Sequence, residues 1–160
     1  MANPLNNEKE LFEKIEAEKI TIAPQVWKFI YHHIGDDVTA INLICEYCAA
    51  HAQSIPQNEA EKIVIYATDA GNIINNLCRK DKQGLLFPEF DKEIPLHPVL
   101  REMLTHYIGN DTQVINFMIG TYLDLDEPIP VPKEVIPKVL AQTKSLREFM
   151  DRLREATCNI

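Results

Sequence analysis

HHIGDDVTAIN, residues 32–42, returns later in the chain as HYIGNDTQVIN, residues 106–116, and the recurrence decides the fold. At an offset of 74 and without a gap, His32 aligns with His106, Ile34 with Ile108, Gly35 with Gly109, Asp37 with Asp111, Ile41 with Ile115 and Asn42 with Asn116. Upstream, the same offset pairs Ile20 with Ile94, Ile22 with Leu96 and Pro24 with Pro98. Downstream it becomes 76, pairing Ile73 with Phe149, Ile74 with Met150 and Leu77 with Leu153, and the extra residues fall in the second copy's proline-rich turn. A chain built this way carries one supersecondary unit twice, and each unit hides its apolar face against the other.

Within each unit the apolar period is helical. Val26, Ile30, Ile34, Ile41, Cys45, Cys48 and Ala52 form a narrow stripe, preceded by Pro24 at a position suited to the start of a helix. Gly35 weakens that helix by about 1 kcal/mol relative to alanine, and Asp36 and Asp37, like Asp111 in the second copy, read as N-caps. The segment is therefore either one long helix or two broken at the glycine. Asn58 and Glu61 suggest a capping box opening a second helix through Ile63, Tyr66, Ala70, Ile73 and Leu77. The second unit repeats the plan with Leu100, Leu104, Ile108, Ile115, Ile119 and Tyr122. Its last helix starts near Glu134 or bends at Pro137, and continues through Val139, Leu146, Phe149, Met150 and Leu153.

Two helical hairpins, each with one apolar stripe, pack most economically as a four-helix bundle. The expected fold is all-α: two tandem helical hairpins forming a pseudo-symmetric four-helix bundle, with a short N-terminal helix. Residues 1–23 form that helical extension, with Leu11, Phe12 and Ile15 on one side, bracing the first unit or extending its first helix. Residues 24–80 are the first hairpin, 81–97 a linker docked through Leu85, Leu86, Phe87 and Phe90, and 98–160 the second hairpin, all around one shared core.

Composition narrows the function. A chain of 160 residues that is 46% hydrophobic and 25% charged is an ordinary globular protein, and a formal charge of -8 without a basic cluster argues against a phosphate backbone as principal partner. No apolar run reaches membrane-spanning length, and MANPLNNEKELFEK lacks a basic region followed by a hydrophobic one, so the cytoplasm is the expected location. Four scattered cysteines, Cys45, Cys48, Cys78 and Cys158, read as reduced thiols rather than a disulfide framework.

The histidines face away from the stripe. At about 100° per residue, Ile30, Ile34, Ile41, Cys45 and Cys48 cluster on one side of the first helix and His32 lies opposite, with Thr39 on its face. His106 likewise faces away from Leu104, Ile108, Ile115 and Ile119, with Gln113 beside it. A continuous helix would thus display one outward histidine in each bundle half.

His32, Ile34, Val38, Thr39 and Ile41, with His106, Ile108, Asn110, Gln113 and Ile115, resemble the H-box hairpin of the dimerisation and histidine-phosphotransfer domain of sensor histidine kinases and related phosphotransferases. The resemblance covers most of residues 24–80 and 98–156. Members of that family pair hairpins from two chains, and the duplication would supply both in one. Two family positions differ: the acid beside the histidine, which assists phosphorylation by ATP, is His33 or Tyr107, and the basic residue is Gly35 or Gly109. With five glycines, no phosphate-cradling loop and no room for an ATP-binding domain, the chain is not expected to be a kinase. The resemblance implies a non-kinase signalling module that docks a response-regulator receiver domain or a histidine kinase. Phosphoryl exchange would occur at His32 or His106, with Thr39, Asn110 and Gln113 as neighbours. No resident cofactor is expected, since a receiver supplies the aspartate and magnesium, and a homo-oligomer is compatible with the reading.

Other readings compete. A catalytically silent helical adaptor would use the same bundle only for protein interaction, and a metal- or ligand-binding regulator stands third. Cys45, Cys48 and His51 have ligand chemistry at helical spacing, but their counterparts Ile119, Tyr122 and Leu125 are apolar and no fourth ligand is evident, so core packing is the better account. HHIG is similar to the HDIG motif of metal-dependent phosphohydrolases, yet His33 and Tyr107 replace the metal-binding aspartate. Asn42 and Asn116 read equally as packing determinants.

Overall fold

Pro24 occupies the first turn of helix α2 (Pro24–Ala50), where its missing N–H leaves no carbonyl unpaired, and the helix runs unbroken through Gly35. The computed structural model describes residues 4–77, 84–85 and 94–157. A Cβ at Gly35 would meet nothing within 4 Å, so the glycine costs helix propensity without serving a close approach. Continuity is kept by the buried stripe on either side, Ile30, Ile34, Val38 and Ile41. Asp36 and Asp37 are consequently helix-interior residues, not caps. Ala52, at φ 49°, ends the helix in the left-handed region, and the Gln53 N–H returns to the Cys48 carbonyl at 3.0 Å.

Helix α3 (Gln57–Leu77) starts ahead of Asn58, which therefore lies in its first turn instead of capping it. In the second unit, α4 (Pro98–Met103), a π-helical turn (Leu104–Ile108) and α5 (Gly109–Leu123) form one continuous rod. A 3-10 turn (Lys133–Val135) then leads into α6 (Ile136–Thr157), with Pro137 in the first turn, where it neither bends nor breaks the helix.

These rods make an all-α four-helix bundle. α2 and α5 stand diagonally, each flanked by α3 and α6. One core cluster includes Ile30, Ile34, Ile74, Leu100, Leu104, Ile108, Leu146 and Leu153; the other, nearer the turns, includes Ile41, Cys45, Ile63, Ile115, Ile119, Val131 and Val139. Small residues allow the helices to approach, and a Cβ at Gly71 on α3 would lie 3.2 Å from Oγ1 of Thr112 on α5. At the tips of the hairpins, Ile55 and Val131 form an antiparallel bridge.

Helix α1 (Pro4–Glu18) departs from expectation. It packs on α4 and α6 of the second unit, with Ile15 buried, the Phe12 ring edge-on to Phe149 at 6.4 Å, and the Arg152 guanidinium 4.5 Å from the Phe12 centroid. Arg152 also pairs with Glu8. The apolar side of α1 found its complement in the last helix, which the sequence places farthest away. In the connector, β1 (Gly84–Leu85) pairs antiparallel with β2 (Ile94–Pro95). The expected docking through Leu85, Leu86, Phe87 and Phe90 concerns side chains outside the described residues, as do Cys78 and Cys158. Among the described residues no helix is long and apolar enough to cross a membrane.

Candidate functional site

Both histidines of the repeated stretch face solvent while the isoleucines two positions on, Ile34 and Ile108, are fully buried. The side chain of His32 is 71% exposed, its Nδ1 lies 3.5 Å from Oδ2 of Asp36, and its ring meets that of His33 edge-on at 4.7 Å. Thr39 is not its partner. Seven residues separate them, about 10 Å at the helical rise, and the Thr39 hydroxyl accepts a hydrogen bond from Arg147 of α6 at 2.8 Å.

His106 sits on the π-helical turn. Its Nδ1 is 3.5 Å from Nδ2 of Asn110, and its ring is edge-on to Tyr107 at 4.9 Å. Tyr107 in turn packs on Phe149 at 4.9 Å; burial, with the charges of Glu8 and Glu102, pushes its phenol above the usual range against the opposing pull of Arg152. A groove of about 840 Å³ opens beside His106, lined by Asn75 from α3 and by Pro98, Arg101, Glu102, Thr105, Gly109, Asn110 and Gln113 from the opposite rod. Three of the expected site residues, His106, Asn110 and Gln113, therefore meet in one place. The groove continues between α3 and α5 past Asn72 and Thr112 to Asn116, which donates to Thr68 at 3.2 Å.

A π-turn widens the helix by one residue per hydrogen-bonded ring. Downstream of it the copies agree: Ile108, Ile115 and Ile119 are buried like Ile34, Ile41 and Cys45. Upstream, Leu100, Met103 and Leu104 are buried like Val26, Phe29 and Ile30, but two positions differ. Val99 is buried where Gln25 is exposed, and Arg101 lines the groove where Trp27 is buried and donates its indole N–H to Thr157 at 3.0 Å. The Arg101 Nε donates to the Leu96 carbonyl at 3.2 Å, which anchors the side chain at the groove's upper end. Arg101, Thr105 and Asn75 carry no signal in the sequence; a register comparison alone would assign Arg101 to the core with Trp27.

The repeated aspartates hold each hairpin together. Asp37 is only 9% exposed, hydrogen-bonds Asp69 on α3, and keeps Oδ2 buried without a partner. Burial, the bond to Asp69 and the charges of Asp69 and Asp36 raise its carboxyl to about 8. Asp111 is raised to about 6 by burial and by Glu8, against a hydrogen bond with Ser145 that pulls it down. The repeated asparagines reach across to the other hairpin: Asn42 accepts from Thr143 on α6, and Asn116 bonds Thr68 on α3.

The cysteine cluster is dispersed. Cys45 and Cys48 lie in the core, burial pushes the Cys45 thiol up to about 12, and His51 stands exposed with its ring 4.2 Å from that of Tyr47 and Nδ1 2.8 Å from the Tyr47 carbonyl. Among the described residues no group of three or more His, Cys, Asp or Glu side chains is placed to hold a metal ion.

Chemically, the lining of the groove includes an imidazole, one guanidinium, one carboxylate, one hydroxyl and three amides, with the amide of Asn110 next to the imidazole. Such a set can present a nucleophile and donate hydrogen bonds to anionic oxygens. No protein-family model matches the chain, and neither a curated protein nor a solved structure matches it.

Proposed function

We propose that this chain is a non-kinase signalling module of the cytoplasm, resembling a histidine-phosphotransfer and dimerisation bundle whose two hairpins are fused in one chain. It docks a receiver domain or a histidine kinase and exchanges a phosphoryl group at an exposed histidine. The observation that supports this reading is the pairing of outward histidines with buried flanking isoleucines on the two diagonal helices of one bundle.

In the proposed exchange, the imidazole lone pair attacks the phosphorus of the receiver's aspartyl phosphate. An N–P bond forms, the O–P bond breaks, and its electron pair leaves with the aspartate carboxylate; the ring then releases its remaining N–H proton to water. The receiver supplies the aspartate and the magnesium. The chain's own residues present the ring and the docking surface.

The test is incubation of the protein with a panel of receiver domains carrying a labelled aspartyl phosphate. The expected result is label in an acid-labile, base-stable form that is lost in the double variant His32→Ala/His106→Ala. Absence of label from every receiver, under conditions where a working phosphotransferase accepts it, would leave the second reading, an adaptor without phosphoryl chemistry. That reading is favoured by the exposed apolar residues Phe117 at 76%, Ile65 at 64%, Leu43 at 62% and Tyr47 at 61%.

A further inference from the structure

Two histidines at equivalent sequence positions have acquired different surroundings. Beside His32 stands a carboxylate, Asp36, at 3.5 Å; at the equivalent position beside His106 stands the neutral amide of Asn110, also at 3.5 Å. A phosphoryl group carries about -1.5 to -2 charges near neutral pH, so the carboxylate opposes its approach while an amide can donate to its oxygens. The surroundings differ as well: His106 opens on a groove whose lining includes the amides of Asn75, Asn110 and Gln113 and a single carboxylate, Glu102.

We infer that His106 is the phosphoryl-accepting histidine of this protein, that Asn110 binds an oxygen of the incoming group, and that His32 is a silent copy. This rests on the phosphotransfer reading and specifies its site. Asn110 also orients the ring: turned so that Oδ1 accepts the Nδ1 proton, it leaves the lone pair on Nε2 for attack.

The experiment uses the full chain with phosphoramidate, a small donor that needs no protein partner. Its P–N bond breaks with ammonia leaving, and an N–P bond forms at the imidazole. Mass spectrometry follows occupancy of His106 and His32 separately. His106 is expected to be labelled at least about tenfold faster, since each factor of ten is only about 1.4 kcal/mol of differential stabilisation. Asn110→Asp, which places beside His106 the carboxylate that His32 has in Asp36, should erase most of that preference without changing the rate at His32. A separate readout is binding: titration with inorganic phosphate should move the His106 ring proton resonances saturably and leave those of His32 in place. Equal labelling of the two rings, faster labelling of His32, no labelling of either, or a preference indifferent to Asn110 would overturn the inference. Because no receiver is present, that failure is distinct from a failure of receivers to donate.

Discussion

Ile55 and Val131 occupy the tips of the two hairpins and exchange both of their backbone hydrogen bonds, each at 2.9 Å. Both follow the aligned downstream offset of 76, and each is followed by a proline, Pro56 and Pro132. Both side chains are fully buried in the core cluster nearest the turns. Two reciprocal bonds between loops, made where neither loop has a helical partner, close that end of the bundle and satisfy groups that burial would otherwise leave unpaired.

Ile55→Ala is expected to cost about 2–5 kcal/mol and Val131→Ala somewhat less, through the cavity each leaves. Because the residues share one bridge, the double variant should depart from additivity by about 0.5–3 kcal/mol. Urea unfolding of the four proteins in the cycle measures this, and strict additivity would show the tips to be independent.

Asp37 makes stability depend on pH. Its carboxyl titrates near 8 in the folded chain, against an ordinary value of 3.8, because of burial, its hydrogen bond to Asp69 on α3, and the charges of Asp69 and of Asp36 on its own helix. With the folded value above the unfolded one, the native state holds the proton more tightly, so the contribution is whole below about pH 4 and is lost as pH rises through about 8. Asp37→Asn should therefore be nearly neutral at pH 4 and more stable than the natural chain at pH 8, by an amount on the order of a few kcal/mol. Denaturation midpoints at pH 4, 6 and 8 test this. A difference that does not grow with pH refutes it.

The core thiols should be inert. Cys45 and Cys48 are buried, and burial raises the Cys45 thiol further from the reactive thiolate. In a Cys78→Ser/Cys158→Ser background, a thiol reagent at pH 8 is expected to leave the native protein unmodified and to react with both cysteines in denaturant. Equimolar zinc should not raise the melting temperature of that variant, since His51 is exposed while both cysteines are buried, and among the described residues no three such side chains are placed to hold a metal ion. Native-state reaction, or stabilisation by zinc, would return the cluster to consideration as a ligand set.

The helical period made most of the fold legible. An apolar residue every three or four positions is a local requirement for burying one face of a helix, so Ile34, Ile41, Cys45, Ile63, Ile108, Ile115, Ile119 and Leu146 could be assigned to the core one element at a time. The same geometry placed His32 and His106 outside. Of the candidate site, His106, Asn110 and Gln113 were readable because they share a helix and a face. Thr39 lies on the exposed side with His32, but sharing a face says nothing about a bond arriving from another helix, here from Arg147.

By itself, then, the sequence determined that the chain is a set of amphipathic helices with His32 and His106 turned outward, since both features depend only on local periodicity. The tertiary structure alone decided that α1 packs on α6, that Asp37 meets Asp69 and Asp111 meets Ser145, and that Leu104–Ile108 closes as a π-turn next to the groove that holds His106. The physical reason is common to all three. Segments such as LTHYI can close either α or π rings, and a charged or apolar face can rest on any complementary neighbour. The choice falls to packing between residues far apart in the chain, which no local pattern records.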